Sequence, residues 1–293
     1  MGSTTAAPSS TAAPVFSLTI SPTRLVVGQA DINTTQQIQV INNGQSPAAV
    51  TVQKKNFSGG ADGTLVFQEA APYSASAWVT INPPTFNLAP GATQIVTAVI
   101  SVPPSPEPGD HQVALVFLVP AGTTNGNIKI NRGIATPVYI TVAGPLNDSA
   151  SLSDLSVKGF ATGGPVTITA KVHDTGTVHR DFRGASPLKI SAAGSAAVFP
   201  DFTVMRGSTR DIATTWNPPL FCICHPSVSV VNADGTVHSM TVQVIIVPLP
   251  LLGAVGGAVV LIVVGLWLAR RGYRGSVNKA AIRLGRPVSV GDV

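Results

Sequence analysis

The residues best suited to chemistry stand in one short run, Cys222-Ile223-Cys224-His225. On a strand, positions two apart project from the same face, so the two sulfurs share one side. Three readings stay open. The pair packs as small apolar side chains beside Phe221, or it forms a disulfide or redox pair. The third is a soft-metal site with His225, to which His173, His179 or His238 would add the remaining ligands. A disulfide across one intervening residue is strained relative to ordinary Cα separations. Elsewhere catalytic groups are sparse. Before the C-terminal apolar run the chain has two glutamates, Glu69 and Glu107, both among Pro- and Ala-rich turn residues. There is no G-x-S-x-G elbow, H-E-x-x-H pair or P-loop. A protein that is not an enzyme and carries no cofactor is expected.

Charged residues ahead of the tail concentrate in His173, Asp174, His179, Arg180, Asp181 and Arg183, with Lys171 just before them. One reading is a solvated hairpin tip; the other is a contact surface for a partner, since loops on β scaffolds often carry binding. Arg24, in SPTRLVV, is either a sheet-edge charge that discourages aggregation or a partner anchor.

The formal charge is +5. Beyond residue 269 lie Arg270, Arg271, Arg274, Lys279, Arg283 and Arg286 against Asp292, leaving twelve basic and twelve acidic side chains in the first 269 residues. The basic character belongs to the tail, and nucleic acid is excluded as a partner of the rest.

The elements that must position these groups read as strands. Val96, Ala98, Ile100 and Val102 alternate, as do Val113, Leu115, Phe117 and Val119, and Val138, Ile140 and Val142. Turn chemistry falls between them at Asn43-Gly44, Gly59-Gly60, Pro83-Pro84, Pro90-Gly91 and Pro108-Gly109. Residues 15–143 are expected to form one β-sandwich and 152–247 a second, with 144–151 as linker and 173–186 and 192–197 as loops. Residues 1–14, rich in Ser, Thr, Ala and Pro, are expected to be a disordered spacer. They show no basic n-region or apolar h-region, so an export signal is expected upstream or already removed.

From Leu249 to Ala269 the chain carries no charge, amide or hydroxyl. At 1.5 Å per residue this run is about 31 Å of helix, matching a hydrocarbon core of roughly 30 Å. It is expected to be a transmembrane helix. Trp267 and Tyr273 bracket one boundary, and the basic tail over 270–293 sets the orientation by the positive-inside rule. The N-terminal part is expected outside a cell membrane, with the C-terminus cytoplasmic and Lys279 and Arg283 one turn apart on anionic lipid. Gly253 and Gly257 form a G-x-x-x-G, open to a helix–helix dimer or to the ordinary small-residue content of membrane helices.

The segments FSLTISPTRLVVG, QIQVINNGQSPAAVTV, WVTINPPTFNLAPGATQIVTAVISVP and PGDHQVALVFLV resemble the first immunoglobulin-like domain of WxL-interacting proteins of Gram-positive bacteria. KVHDTGTVHRDFRG and TTWNPPLF are similar to strands of the second domain in that family. The resemblance implies an all-β chain of two immunoglobulin-like β-sandwich domains, one transmembrane helix and a short basic tail. It implies a non-catalytic adhesion or scaffold role, binding a cell-wall polymer, peptidoglycan in that family, or a secreted surface protein. SPTRLVV with QVINNG is also similar to the first strands of periplasmic pilus chaperones, where an arginine in the place of Arg24 anchors a subunit. That resemblance implies an assembly chaperone or accessory subunit of a surface structure, working by edge-strand addition. A redox- or metal-linked surface protein centred on Cys222 and Cys224 is the remaining alternative.

Overall fold

A computed structural model of the chain describes residues 14, 16–120 and 131–285, the stretch 272–284 by its backbone alone. The spacer expected over 1–14 lies outside the described residues except for Pro14, as do residues 286–293 of the tail.

The first domain holds β1 (Leu18–Ser21), β2 (Leu25–Val27), β3 (Thr35–Asn42), β4 (Ala48–Gly59), β5 (Leu65–Gln68), β6 (Val79–Asn82), β7 (Thr85–Leu88), β8 (Thr93–Ile100), β9 (Gly109–Val119) and β10 (Arg132–Val142). They form two facing sheets, β1-β3-β8-β6 and β2-β10-β9-β4, with β5 and β7 both pairing β4. The expected alternations become the core between them: Val96, Ala98 and Ile100 meet Val113, Leu115, Phe117, Val138 and Ile140, all buried. The chain crosses between the sheets at residues 22–24, because β1 pairs β3 antiparallel while β2 pairs β10 in parallel.

The second domain contains β11 (Ala150–Val157), β12 (Phe160–Ala161), β13 (Val166–Asp174), β14 (Arg180–Phe182), β15 (Lys189–Ser191), β16 (Ala197–Val198), β17 (Phe202–Val204), β18 (Thr209–Trp216), β19 (Cys222–Cys224), β20 (Ser227–Val231), β21 (Val237–Thr241) and β22 (Val244–Ile246). Its first strands repeat the crossing of the first domain: β11 pairs β13 antiparallel, and β12 pairs the last strand, β22, in parallel. Its sheets are smaller, β11-β13-β18, β12-β22-β19, β14-β17 and β16-β15-β20-β21. Trp216 is fully buried beside Ile168, Ile212, Val244 and Ile246 in its core. The two domains are immunoglobulin-like β-sandwiches, as expected. Two stretches read as loops carry short strands, β14 and the start of β16, because their pairing partners β17 and β15 are separated from them by turns that break any alternation.

One helix, α1 (Leu249–Leu284), follows. Its stretch Leu249–Arg271 is long and apolar enough to cross a membrane, and none of it is buried in the protein. Gly253 and Gly257 face open space, with nothing within 4 Å of an added Cβ. The side chains of Lys279 and Arg283 lie outside the described residues.

Candidate functional site

β9 explains how the two domains meet. Its run GDHQVALVFLV is apolar on both faces and buried on both, unlike a half-exposed edge. Val113, Leu115 and Phe117 enter the first core. Ala114 and Val116 join Phe57 and Tyr139 on the opposite face, and Met205 of the second domain packs there.

At the start of β9 the contact turns polar. Asp110, 1% exposed, accepts hydrogen bonds from the backbone N–H of His179 (2.8 Å) and from Thr141 Oγ1 (2.7 Å). The His179 Nδ1 pairs with the same carboxylate, and the imidazole stacks on Tyr139 at 4.8 Å. Burial alone would raise the Asp110 carboxyl, but the bonds from His179 and Thr141 outweigh it and hold the group below its ordinary value. Asp110 N–H donates to the Thr177 carbonyl (2.8 Å), which passes so close that a Cβ on Gly109 would lie 2.2 Å from that oxygen. Gly109 has φ +108°, so glycine is required there on both counts.

A second cluster lies beside it. Arg24 Nη1 and Nη2 donate to Asp181 Oδ1 and Oδ2, each at 3.0 Å, and Arg183 Nη2 reaches Asp181 Oδ2 at 2.5 Å. Thr203 donates to the same carboxylate. Burial opposes ionisation of Asp181, yet the bonds from Arg24, Arg183 and Thr203 hold it well below the usual carboxylate range. The bond to Asp181 in turn raises Arg24. Arg206, 6% exposed, pairs with Glu107, donates to the Asp110 carbonyl (3.3 Å) and lies over the Tyr73 ring at 3.8 Å.

Asp174 is buried between these groups. Its Oδ1 accepts from the Gly176 and Gly207 amides at 3.0 and 3.4 Å, while Oδ2 has no partner among the described residues. Burial pushes its carboxyl up to about 7, the two amides offset part of that, and nearby Asp110 adds to the rise. Arg180 donates to Asn232 Oδ1 and the Val231 carbonyl, and His173 Nδ1 meets Thr209 Oγ1 at 3.0 Å.

The structure thus turns the polar stretch from His173 to Arg183 inward. His179 and Asp181 join the first domain, while His173, Asp174 and Arg180 hold the second together. Arg24 lies in the bend before β2 and meets Asp181, so it is neither a free edge charge nor a free anchor. Sequence reasoning missed Glu107, Asp110 and Arg206. The one signal for them was the two-sided apolar run of β9, which demands a second covering surface.

Cys222 and Cys224 are joined in a disulfide, with Cα atoms 5.2 Å apart. A metal reading of Cys222, Cys224 and His225 is corrected accordingly: both sulfurs are consumed by each other, and among the described residues no group of three or more His, Cys, Asp or Glu side chains gathers. His225 is exposed.

Two cavities flank the junction. One of about 430 Å³ lies between the domains, lined by Arg24, Gly63, Tyr139, Phe202, Met205 and Arg210. The other, about 630 Å³, opens on the outer face of the first domain over Lys55, Phe67, Glu69, Val116 and Leu118. The first part of β10 has an edge with no strand partner among the described residues, on the side away from β9. Residues 132–135 pair with β9 on one side and with no strand on the other among the described residues, whereas Thr136 is fully buried and β2 covers Val138–Ile140. Register sets Gly133 opposite Leu118 and Ala135 opposite Val116, so the strand nearest that edge presents small side chains.

No protein-family model matches the chain, and no curated protein sequence does. The resemblance to WxL-interacting proteins therefore rests on the strand patterns alone. Among solved structures the chain is similar to pilus chaperones. These include the YadV chaperone, at 11% identity over 78% of this chain and 99% of that one, with a TM-score of 0.42. The E. coli chaperone DraB is 14% identical over 79% and 100%, with a TM-score of 0.40. A chain of the Salmonella enterica SafA pilin complex with the SafB chaperone is 14% identical over 80% and 99%, with a TM-score of 0.38.

Proposed function

We propose that this chain is a non-catalytic, membrane-anchored assembly module at the cell surface, an accessory subunit or chaperone that captures an extended segment of a secreted surface protein by strand addition. The observation that carries this reading is the edge of β10 at residues 132–135, which has no strand partner among the described residues. A partner strand laid there would continue the line of β2. Every second side chain would lie beside Gly133 and Ala135, on the face they share with Val116 and Leu118. Main-chain bonds would supply affinity, and that apolar floor would supply selection. Buried Thr136 and Pro137, which lacks an N–H, separate the open segment from the β2 pairing.

Arg24 enters this reading through the junction. Paired with Asp181 it fixes the angle between the domains and leaves capture to the strand edge. The basic tail favours an outside location for both domains and a cytoplasmic C-terminus.

The test is photo-crosslinking in intact cells from a benzoylphenylalanine at Arg132, exposed at the start of that edge, against one at Ile95, 40% exposed on the opposite sheet. A secreted surface protein attached at 132 and absent at 95 supports strand capture. Equal attachment at both positions, or retention on isolated cell wall with no protein adduct, overturns it and restores the wall-polymer reading.

A further inference from the structure

The second domain is polar at the end that meets the first domain and apolar at the other. There, β12, β22 and β19 form a small sheet of their own. Register places Phe160 beside Ile245 and Ile245 beside Ile223, a row across all three strands with exposures of 50%, 39% and 64%. In the bend just ahead of β19, Phe221 is 56% exposed and Leu220 is 65% exposed. Five of the eight large apolar side chains exposed between residues 149 and 247 are gathered in these segments. Scattered exposed apolar residues are ordinary, whereas a contiguous group marks a contact.

The disulfide belongs to this surface. Cys224 is buried and Cys222 half-buried, so the bond lies on the inward side of β19 and Ile223, between them, faces out. The segments 158–165, 217–226 and 242–249 contain no acidic residue; their ionisable side chains are Lys158 and His225.

Chain continuity identifies what covers the patch. Ile245 N–H donates to the Gly159 carbonyl (2.9 Å) and Val247 N–H to the Ala161 carbonyl (3.0 Å), so the sheet holds the chain up to Val247. Leu252 N–H already bonds the Pro248 carbonyl at 3.0 Å, so α1 starts with no flexible linker. Four residues reach at most roughly 14 Å, which ties Ile245 to the first turn of α1 within that distance. The headgroup zone beyond the hydrocarbon core is roughly 5–8 Å deep on each side. A membrane crossed by α1 therefore brings its interface to this sheet.

We propose that the outward face of the β12-β22-β19 sheet, carrying Phe160, Leu220, Phe221, Ile223 and Ile245, is a membrane-docking surface seated in the interfacial zone of the bilayer that α1 crosses. Aromatic and aliphatic side chains enter the headgroup boundary, and Lys158 faces lipid phosphate. Docking at this face fixes the tilt of the second domain and, through the junction, the direction in which the open edge of β10 points. The inference rests on α1 spanning the membrane and is independent of what β10 captures.

The test uses the full chain reconstituted in phosphatidylcholine–phosphatidylglycerol vesicles, with benzoylphenylalanine in place of Phe221. A matched control carries it at Val237, equally exposed at 58% but on the hairpin that lies by the interdomain linker. Flotation with the vesicles establishes insertion of α1. The expected result is an adduct with the mass of one lipid at 221 and none at 237. The Ile223→Asp change, at a position already open to solvent, is expected to lower the lipid adduct at 221 severalfold while leaving flotation unchanged. A 221 adduct to a second chain or to α1 of the same chain overturns the proposal, as does flotation without lipid adduct or an adduct yield indifferent to Ile223→Asp. Failure to float removes the membrane premise and the proposal with it.

Discussion

The second domain is built differently at its two ends. At the junction, Asp110, His179, Asp174, Asp181 and Arg206 are brought together from both domains, and most of their polar atoms find partners there. At the opposite end Phe160, Phe221, Ile223 and Ile245 are left in the open. A buried charge requires a partner in the same protein, so the polar end is a closed contact. Exposed apolar side chains carry no such requirement and are stable against a non-aqueous neighbour. At these two ends, the polar groups are enclosed and the apolar ones are exposed.

Mutations at the two ends should separate them. The largest effect is expected from Asp110→Ala, which leaves His179 and the Thr141 hydroxyl without their shared acceptor. Breaking a buried pair of this kind costs roughly 3 kcal/mol or more, read as a lowered denaturation midpoint of the full chain in detergent. Arg24→Glu sets two carboxylates against each other across a pair about 30% exposed and should cost about 1 kcal/mol. Combining it with Asp181→Arg should restore most of that loss; no recovery in the double variant would show that the pair does not join the domains.

Asp174 gives the comparison a pH dependence. Its folded value of about 7 lies above an unfolded value of roughly 3.9, so the folded state binds the proton more tightly. Its contribution to stability is complete below the unfolded value and is lost as pH rises through about 7. Asp110 and Asp181 have the opposite sign: held below their ordinary value when folded, they stabilise at neutral pH, and that support is lost in acid. Stability of the wild type should therefore fall as pH rises toward about 7, and Asp174→Asn should flatten that slope. The smallest effect on folding is expected from Ile223→Ser, within about 0.5 kcal/mol because the side chain is already exposed. A large loss there would mean that the patch is packed within the protein.

Much of this was legible in the sequence. Val113, Leu115 and Phe117, and Val138 and Ile140, announce their strands by alternation, and the run Leu249–Ala269 announces its helix by length. The stretch from His173 to Arg183 is legible as polar but not as an interdomain contact. Its partners Arg24 and Asp110 come from a different domain, and no local period records a contact between residues so far apart in the chain. The disulfide could not be chosen over a packed pair, since Cys-Ile-Cys fixes which face the sulfurs share and not whether they bond.

By itself the sequence determined two β-sandwiches, one apolar helix and a tail that holds the net charge, because alternation, turn residues and charge placement are properties of neighbouring residues. Tertiary structure alone decided that Arg24 meets Asp181, that Asp110 holds His179, and that Phe160, Ile245 and Ile223 stand in one row. Each joins residues tens to more than a hundred positions apart, and only the strand register, set by the packing of whole sheets, brings them within reach.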